Sequence, residues 1–372
     1  MSWRELPTDP FKYTMASSAE LGYGDTVTRS ERFEYFPEGG QRIGVIATQP
    51  AKYGEVRSSE KVPERTVIVP AAGEYRIEPF WALQMQQLAT QFDARVIGVE
   101  MPGTVGLTYP DTEGRMLEYQ TTDRLQGATQ TPLQLMGALG GDFSRHVDVQ
   151  LEAIRHTVGL PEHGKYLLYG TSMGATIATE MVAAMSERGL DVSEVILHEM
   201  VNAFPGSRPE LLIKVARIIA GKERDRRTKY IAENAAIGHT HTAFELSGDT
   251  DEEIYRHKQL DDARKRVSQQ AVAGWANMAG MIHGREEKLL TTLDHYEGPR
   301  PLITLVKGRE SAAATEADYA HMHARLHLGG HAVRTFTVVD VSNTEKPVAM
   351  GHAHHFSIGR LRDIFEALAD NT

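Results

Sequence analysis

The stretch Lys165–Glu187, KYLLYGTSMGATIATEMVAAMSE, constrains the fold more than any other part of the chain. Tyr166-Leu167-Leu168-Tyr169 is too short for a helix and does not alternate with polar residues. That is the pattern of a strand buried on both faces of a parallel sheet. After Gly170-Thr171-Ser172-Met173-Gly174, apolar residues return at helical spacing: Ala175, Ile177, Ala178, Met181, Val182 and Met185. The order is strand, tight turn with Ser at its apex, helix, which is the context that gives Gly-x-Ser-x-Gly a meaning. A Ser at such a turn sits in a strained backbone conformation, and Gly170 and Gly174 flank it because a Cβ would press on the neighbouring strand or helix. The helix points its first N–H groups and its dipole at the space above Ser172, where an oxyanion would be stabilised. The N–H of Met173 is the natural donor. The alternative is a glycine-flanked helix start with Ser172 as N-cap.

The rest of the chain alternates strands and helices. Val27–Phe36 and Gln41–Thr48 read as strands joined by Pro37-Glu38-Gly39-Gly40, a hairpin signal, whereas residues 1–25 look irregular and polar. Thr66–Pro70 is a buried strand running into Ala71-Ala72-Gly73. A helix over about 78–91 and a strand at Arg95–Val99 follow. Residues 104–143 are long and weakly periodic, which suggests a functional loop or concealed short helices. A helix over about 143–158 precedes the Ser172 strand, and Glu194–His198 is another buried strand. Strands alternating with helices imply a parallel sheet with right-handed crossovers.

Between about Phe204 and Tyr296 no strand is evident. Helical patterns begin near Leu211, at the Thr250-Asp251-Glu252-Glu253 capping box, and near Ala271. This reads as a helical insertion on one face of the sheet, with a separate helical domain as the alternative. The α/β pattern resumes with a strand at Pro301–Val306, a helix over about 315–328, a strand at Val333–Val341 and a closing helix over about 358–369. The chain therefore divides into a first core part, 1–203, an insertion, 204–296, and a second core part, 297–372.

Composition narrows the function classes. Lys and Arg total 40 against 50 Asp and Glu, a net charge of −10, and no basic cluster is extensive enough for nucleic acid. The run Lys222–Lys229, KERDRRTK, carries two acids and reads as a solvated helix face. With no cysteine there are neither disulfides nor Cys metal sites. His321, His323, His327 and His331 lack supporting acidic or Cys spacing, so no metal or other cofactor is expected. No apolar run reaches a membrane-spanning length of about 18 residues. The N-terminus lacks an apolar signal core, so a cytoplasmic location is the simplest expectation.

With the hairpin, the mid-chain Gly170–Gly174 turn and a Gly351-His352 loop before the last helix, the chain resembles the α/β-hydrolase family over most of residues 27–370. The resemblance implies a mostly parallel central sheet flanked by helices, with a helical lid after the strand that follows the turn. It implies a triad in the order Ser, acid, His. Ser172 would be the nucleophile. His352 would be the base, with His355 as the alternative on the same loop. The acid would be Glu310, after the penultimate strand in Gly308-Arg309-Glu310-Ser311. Glu199, after the strand following the turn, is the alternative, and Asp340 is a third candidate lying close to a strand end. The oxyanion hole departs from the family's usual His-Gly: Pro70-Ala71-Ala72-Gly73 stands there, and the backbone N–H of Ala72, or of Gly73, would serve beside that of Met173.

The expected activity is hydrolysis of a carboxylic ester or thioester through an acyl-enzyme on Ser172, acting on a small acyl substrate. The same triad serves C–C, amide and acyl-transfer chemistry. A Ser where dehalogenases and epoxide hydrolases of this fold carry Asp argues against those two. The competing reading is a non-catalytic member that binds a ligand or partner through the same pocket.

Overall fold

The computed structural model describes residues 4–5, 11–16, 27–37, 43–54, 56, 62–70, 79–102, 130–161, 164–172, 174–200, 210, 213, 270–294, 296, 298–309, 311, 315–340, 348–349 and 358–370. Its strands are β1 (Arg4–Glu5), β2 (Phe11–Ala16), β3 (Val27–Phe36), β4 (Ile43–Pro50), β5 (Arg65–Pro70), β6 (Arg95–Val99), β7 (Lys165–Thr171), β8 (Val192–His198), β9 (Leu302–Gly308), β10 (Val333–Asp340) and β11 (Val348–Ala349). The α-helices with defined bounds are α1 (Pro79–Gln91), α2 (Pro132–Leu139), α3 (Ser144–Thr157), α4 (Gly174–Ser186), α5 (Gln270–Asp294), α6 (Glu316–Leu328) and α7 (Ile358–Ala369).

All the strands form one sheet in the order β1-β3-β4-β6-β5-β7-β8-β9-β10-β11, with β2 pairing β3. From β6 to β10 every neighbour is parallel. The β3–β4 hairpin is antiparallel, and so is its junction to β6. Placing β7 in the middle follows from its composition, since a strand without alternation has to be covered on both faces. Tyr166 and Leu168 point into one buried cluster, and Leu167 and Tyr169 into the other. The first cluster is built against α3, α4, α5 and α6, the second against α1 and α7.

Two segments differ from the sequence reading. Residues 11–16 are a strand rather than irregular, pairing β3 from Phe11↔Arg32 to Ala16↔Val27. Phe-Lys-Tyr-Thr-Met-Ala alternates with period two, the signature of a sheet with one covered face. The weakly periodic stretch 104–143 contains α2, whose start is defined by Pro132 at its first turn and a capping box between Thr131 and Gln134. Gln134 and Ala138 are its buried face, while Leu133, Met136 and Leu139 are exposed. α2 packs on α5 without a gap: a Cβ on Gly280 would lie 1.6 Å from the Ala138 carbonyl oxygen.

α5 is longer than the helix read near Ala271, running the full 25 residues to Asp294. Ion pairs tie it to its neighbours. Lys288 meets Glu180 of α4 at 2.7 Å, Glu286 meets His321 of α6 at 3.0 Å, and Asp294 meets His331 at 3.3 Å. The helices expected from Leu211 and from Thr250, and the run 222–229, lie outside the described residues.

Candidate functional site

Ser172 follows β7 directly and precedes α4, with φ +53°, a left-handed conformation that costs a residue with a Cβ roughly 1–2 kcal/mol. The strain is imposed by its neighbours. The Ser172 N–H donates to the His198 carbonyl at 2.8 Å, continuing the β7–β8 ladder one residue past the strand. Its own carbonyl accepts from the Ala175 N–H at 3.2 Å, which already belongs to α4. Ser172 thus ends a strand and caps a helix in a single step. Gly170 makes this approach possible: a Cβ there would sit 2.6 Å from both Ala175 Cα and the Gly174 carbonyl oxygen. α4 begins at Gly174, so its first N–H groups and positive dipole end lie at the Ser172 turn.

Glu199 holds the corresponding place one strand over. It follows β8, also has a left-handed φ of +54°, and is fully buried. Its N–H donates to the Val306 carbonyl at 2.7 Å. One carboxylate oxygen accepts the Gly308 N–H, and the other accepts the Ser311 hydroxyl at 2.5 Å. A buried carboxylate without such donors would pay several kcal/mol in lost hydration. Glu199 is therefore a carboxylate with its donors built in, and donors of this kind favour the ionised form. Tyr319 of α6 lies close by: burial raises its phenol well above the ordinary pKa, the Glu199 charge pushes the same way, and the Met200 backbone opposes both.

Two neighbours are buried beside this pair. Lys307 is buried, donates to the Gly308 carbonyl at 3.1 Å and stands 5.7 Å from the centre of the Tyr319 ring. His198 is buried and hydrogen-bonds through Nδ1 to the Tyr169 hydroxyl at 2.5 Å, with the two rings edge to face.

Of the residues singled out from the sequence, Ser172 and Glu199 are brought to adjacent strand exits, linked through the Ser172–His198 hydrogen bond. Met173, Ala72, Gly73, Glu310, His352 and His355 lie outside the described residues. Asp340 is the last residue of β10 and is paired with Val348 of β11. The histidines of α6 and of the turn after it go separate ways: His321 pairs with Glu286, His323 with the Thr335 hydroxyl at 3.0 Å, and His331 with Asp294. Among the described residues no group of three or more His, Cys, Asp or Glu is arranged to hold a metal ion. Ser311, Lys307 and Tyr319 were not singled out from the sequence. Ser311 and Glu199 are 112 residues apart, and no local pattern connects them.

The mostly parallel sheet, its antiparallel leading hairpin, the helices on both faces and the strand-Ser-helix turn at its centre define an α/β-hydrolase fold. No family model matches the chain, and no curated protein matches it. Among solved structures it is similar to the thioesterase domain from the curacin biosynthetic pathway, at 18% identity and TM-score 0.45, covering 91% of this chain and 98% of that one. A hyperthermophilic esterase from the archaeon Pyrobaculum calidifontis aligns at 13% identity and TM-score 0.45, over 92% and 84%. The 2-hydroxy-6-oxo-6-phenylhexa-2,4-dienoate hydrolase of Rhodococcus sp. strain RHA1 aligns at 14% identity and TM-score 0.45, over 98% and 99%. Among the described residues no helix is long and apolar enough to cross a membrane.

Proposed function

We propose that the protein is a serine hydrolase of carboxylic esters or thioesters, acting through an acyl-enzyme on Ser172. The observation that carries this reading is the left-handed Ser172 between β7 and α4, strained and held at a helix N-terminus. Strain of this kind is retained where the surrounding structure over-determines it, and a nucleophile's position is a reason to retain it. The acid is Glu199 rather than the first-ranked Glu310. Supporting this choice are its burial, its two donors and its place beside the Ser172 turn. The base is a histidine of the loop before α7, His352 first and His355 second.

In this mechanism the Ser172 oxygen attacks the carbonyl carbon as its proton passes to the imidazole. The tetrahedral oxyanion accepts N–H bonds from Met173 and Ala72. Collapse expels the alcohol or thiol, which takes the proton from the imidazolium. Water then attacks the acyl-enzyme, giving its proton to the same imidazole; collapse releases the carboxylic acid as the Ser172 oxygen takes that proton back from the imidazolium. Glu199 stabilises the imidazolium without being protonated itself. The lid role is assigned to the part of the insertion that precedes α5, because Leu289, Leu290 and Leu293 of α5 belong to the buried core.

The test combines fluorophosphonate labelling with hydrolysis of p-nitrophenyl esters of graded acyl length. Ser172→Ala should abolish labelling and reduce kcat by about a thousandfold or more. His352→Ala should do the same, and full activity in that variant moves the base to His355. Glu199→Gln should cost far more than Glu310→Gln, and the reverse order returns the acid to Glu310. Full hydrolysis by Ser172→Ala would sink the reading, whereas a wild type that neither labels nor hydrolyses any ester would favour a ligand-binding role.

A further inference from the structure

We propose that Ser311 is a positioning residue that acts through Glu199: its hydroxyl holds the Glu199 carboxylate ionised and in one orientation. The proposal rests on Glu199 being the acid of the triad.

The geometry is a two-point clamp. Gly308 N–H donates to Oε1 of Glu199 and the Ser311 hydroxyl donates to Oε2, so each carboxylate oxygen has its own donor. Both donors belong to one turn. The Ser311 N–H closes it by donating to the Gly308 carbonyl at 3.1 Å, and the buried Lys307 ammonium donates to that same carbonyl at the same distance. The turn is thus fixed from β9, and the hydroxyl is delivered to the carboxylate by a braced piece of backbone. Glu199 is held from its own side as well, by the N–H bond to Val306 and the left-handed backbone.

Two effects follow. Fully buried, Glu199 has lost most of its hydration, and the two donors to its oxygens take the place of the water that would otherwise solvate the charge. Removing the hydroxyl therefore favours the protonated acid, which cannot stabilise an imidazolium. A carboxylate that loses one of these donors is also less firmly oriented, so its alignment with the base is weakened.

The predicted signature is a fall in kcat on the order of tenfold to a hundredfold for Ser311→Ala, the size expected for one hydrogen bond to a charged group. KM should change less than about twofold, because a transition-state interaction is lost rather than a binding one. The acid limb of the kcat/KM profile should move to higher pH. Ser311→Thr, which keeps the hydroxyl, should recover most of kcat. In a Glu199→Gln background, Ser311→Ala should have little further effect, since its partner is gone.

An activity-independent measurement completes the test: 13C NMR titration of the Glu199 side-chain carboxyl in wild type and in Ser311→Ala. The titration should move upward in the variant. An unmoved titration overturns the proposal whatever the kinetics show. If Glu199→Gln is inactive and Ser311→Ala is unimpaired, Ser311 has no positioning role while Glu199 remains the acid. If Glu199→Gln is itself active, the assignment of the acid fails and the proposal falls with it.

Discussion

Ser172 and Glu199 are two of three non-glycine residues with positive φ among the described residues, and each stands immediately beyond a buried parallel strand. Their shared geometry makes the neighbouring small residues sensitive. Gly170→Ala places a Cβ 2.6 Å from the backbone of α4, which has no flexible end to give way. Overpacking of this kind costs roughly 1–3 kcal/mol, so urea unfolding should show a lower midpoint. Fluorophosphonate labelling should fall as the Ser172 turn shifts. Unchanged stability and labelling would mean that the strand and helix separate freely there. Ser172 was legible because its signal is local: an apolar run, a glycine-flanked turn and a helical repeat within about twenty residues. The burial of Glu199 was not legible, because burial of a carboxylate is not a local property, although its place directly after the run EVILH was. Its donors at Gly308 and Ser311 had no sign at all.

At the scale of elements, the sheet was the legible part. Apolar runs located β5, β6, β7, β8 and β9, and a buried parallel strand writes that pattern in a handful of residues. β2 was missed because a single alternating hexapeptide amid polar residues was given too little weight, and α2 because it is short. What holds neighbouring strands together was not legible. Glu194 of β8 accepts from Thr304 of β9 and from Arg334 of β10, both at 2.5 Å, and Arg334 also donates to Thr304 at 2.7 Å. This triad of two buried side chains and the half-buried Arg334 stitches three consecutive strands across separations of 110 and 140 residues. Glu194→Ala leaves the half-buried Arg334 without its carboxylate, which should cost about 3 kcal/mol and lower the thermal midpoint. Glu194→Ala combined with Arg334→Leu should recover part of that loss. A double variant as unstable as the single one would show that packing, not charge, is at stake.

Over the whole molecule, buried histidines make stability depend on pH: burial lowers the pKa of His331 and, more strongly, that of His146. His146 on α3 is fully buried, and among the described residues neither ring nitrogen has a hydrogen-bond partner. Burial lowers its pKa from 6.5 to about 4, with Asp142 opposing weakly. In the unfolded chain the same imidazole titrates near 6.5. Between these values the unfolded state binds more protons than the folded one, so stability falls as pH drops through that window. The contribution is full above about pH 6.5 and amounts to about 3 kcal/mol, lost progressively down to about pH 4. His146→Phe should flatten this part of the profile in thermal melts run from pH 7.5 to 4. A profile as steep as wild type would place the protonation elsewhere.

The pairing of β8 with β9 has a consequence for how the chain is made. β8 ends at His198 and its parallel neighbour begins at Leu302, so a nascent chain must lengthen by about a hundred residues before Glu199 meets Gly308 and Ser311. Until then β8 is an open edge carrying two carboxylates, Glu194 and Glu199, whose partners have not yet been synthesised. Contacts so distant in sequence form late, and an unpaired edge invites other chains. A ribosome stalled near residue 300 would therefore hold a half-built sheet without a finished site, in need of a chaperone, and the same fragment released into solution should aggregate rather than fold.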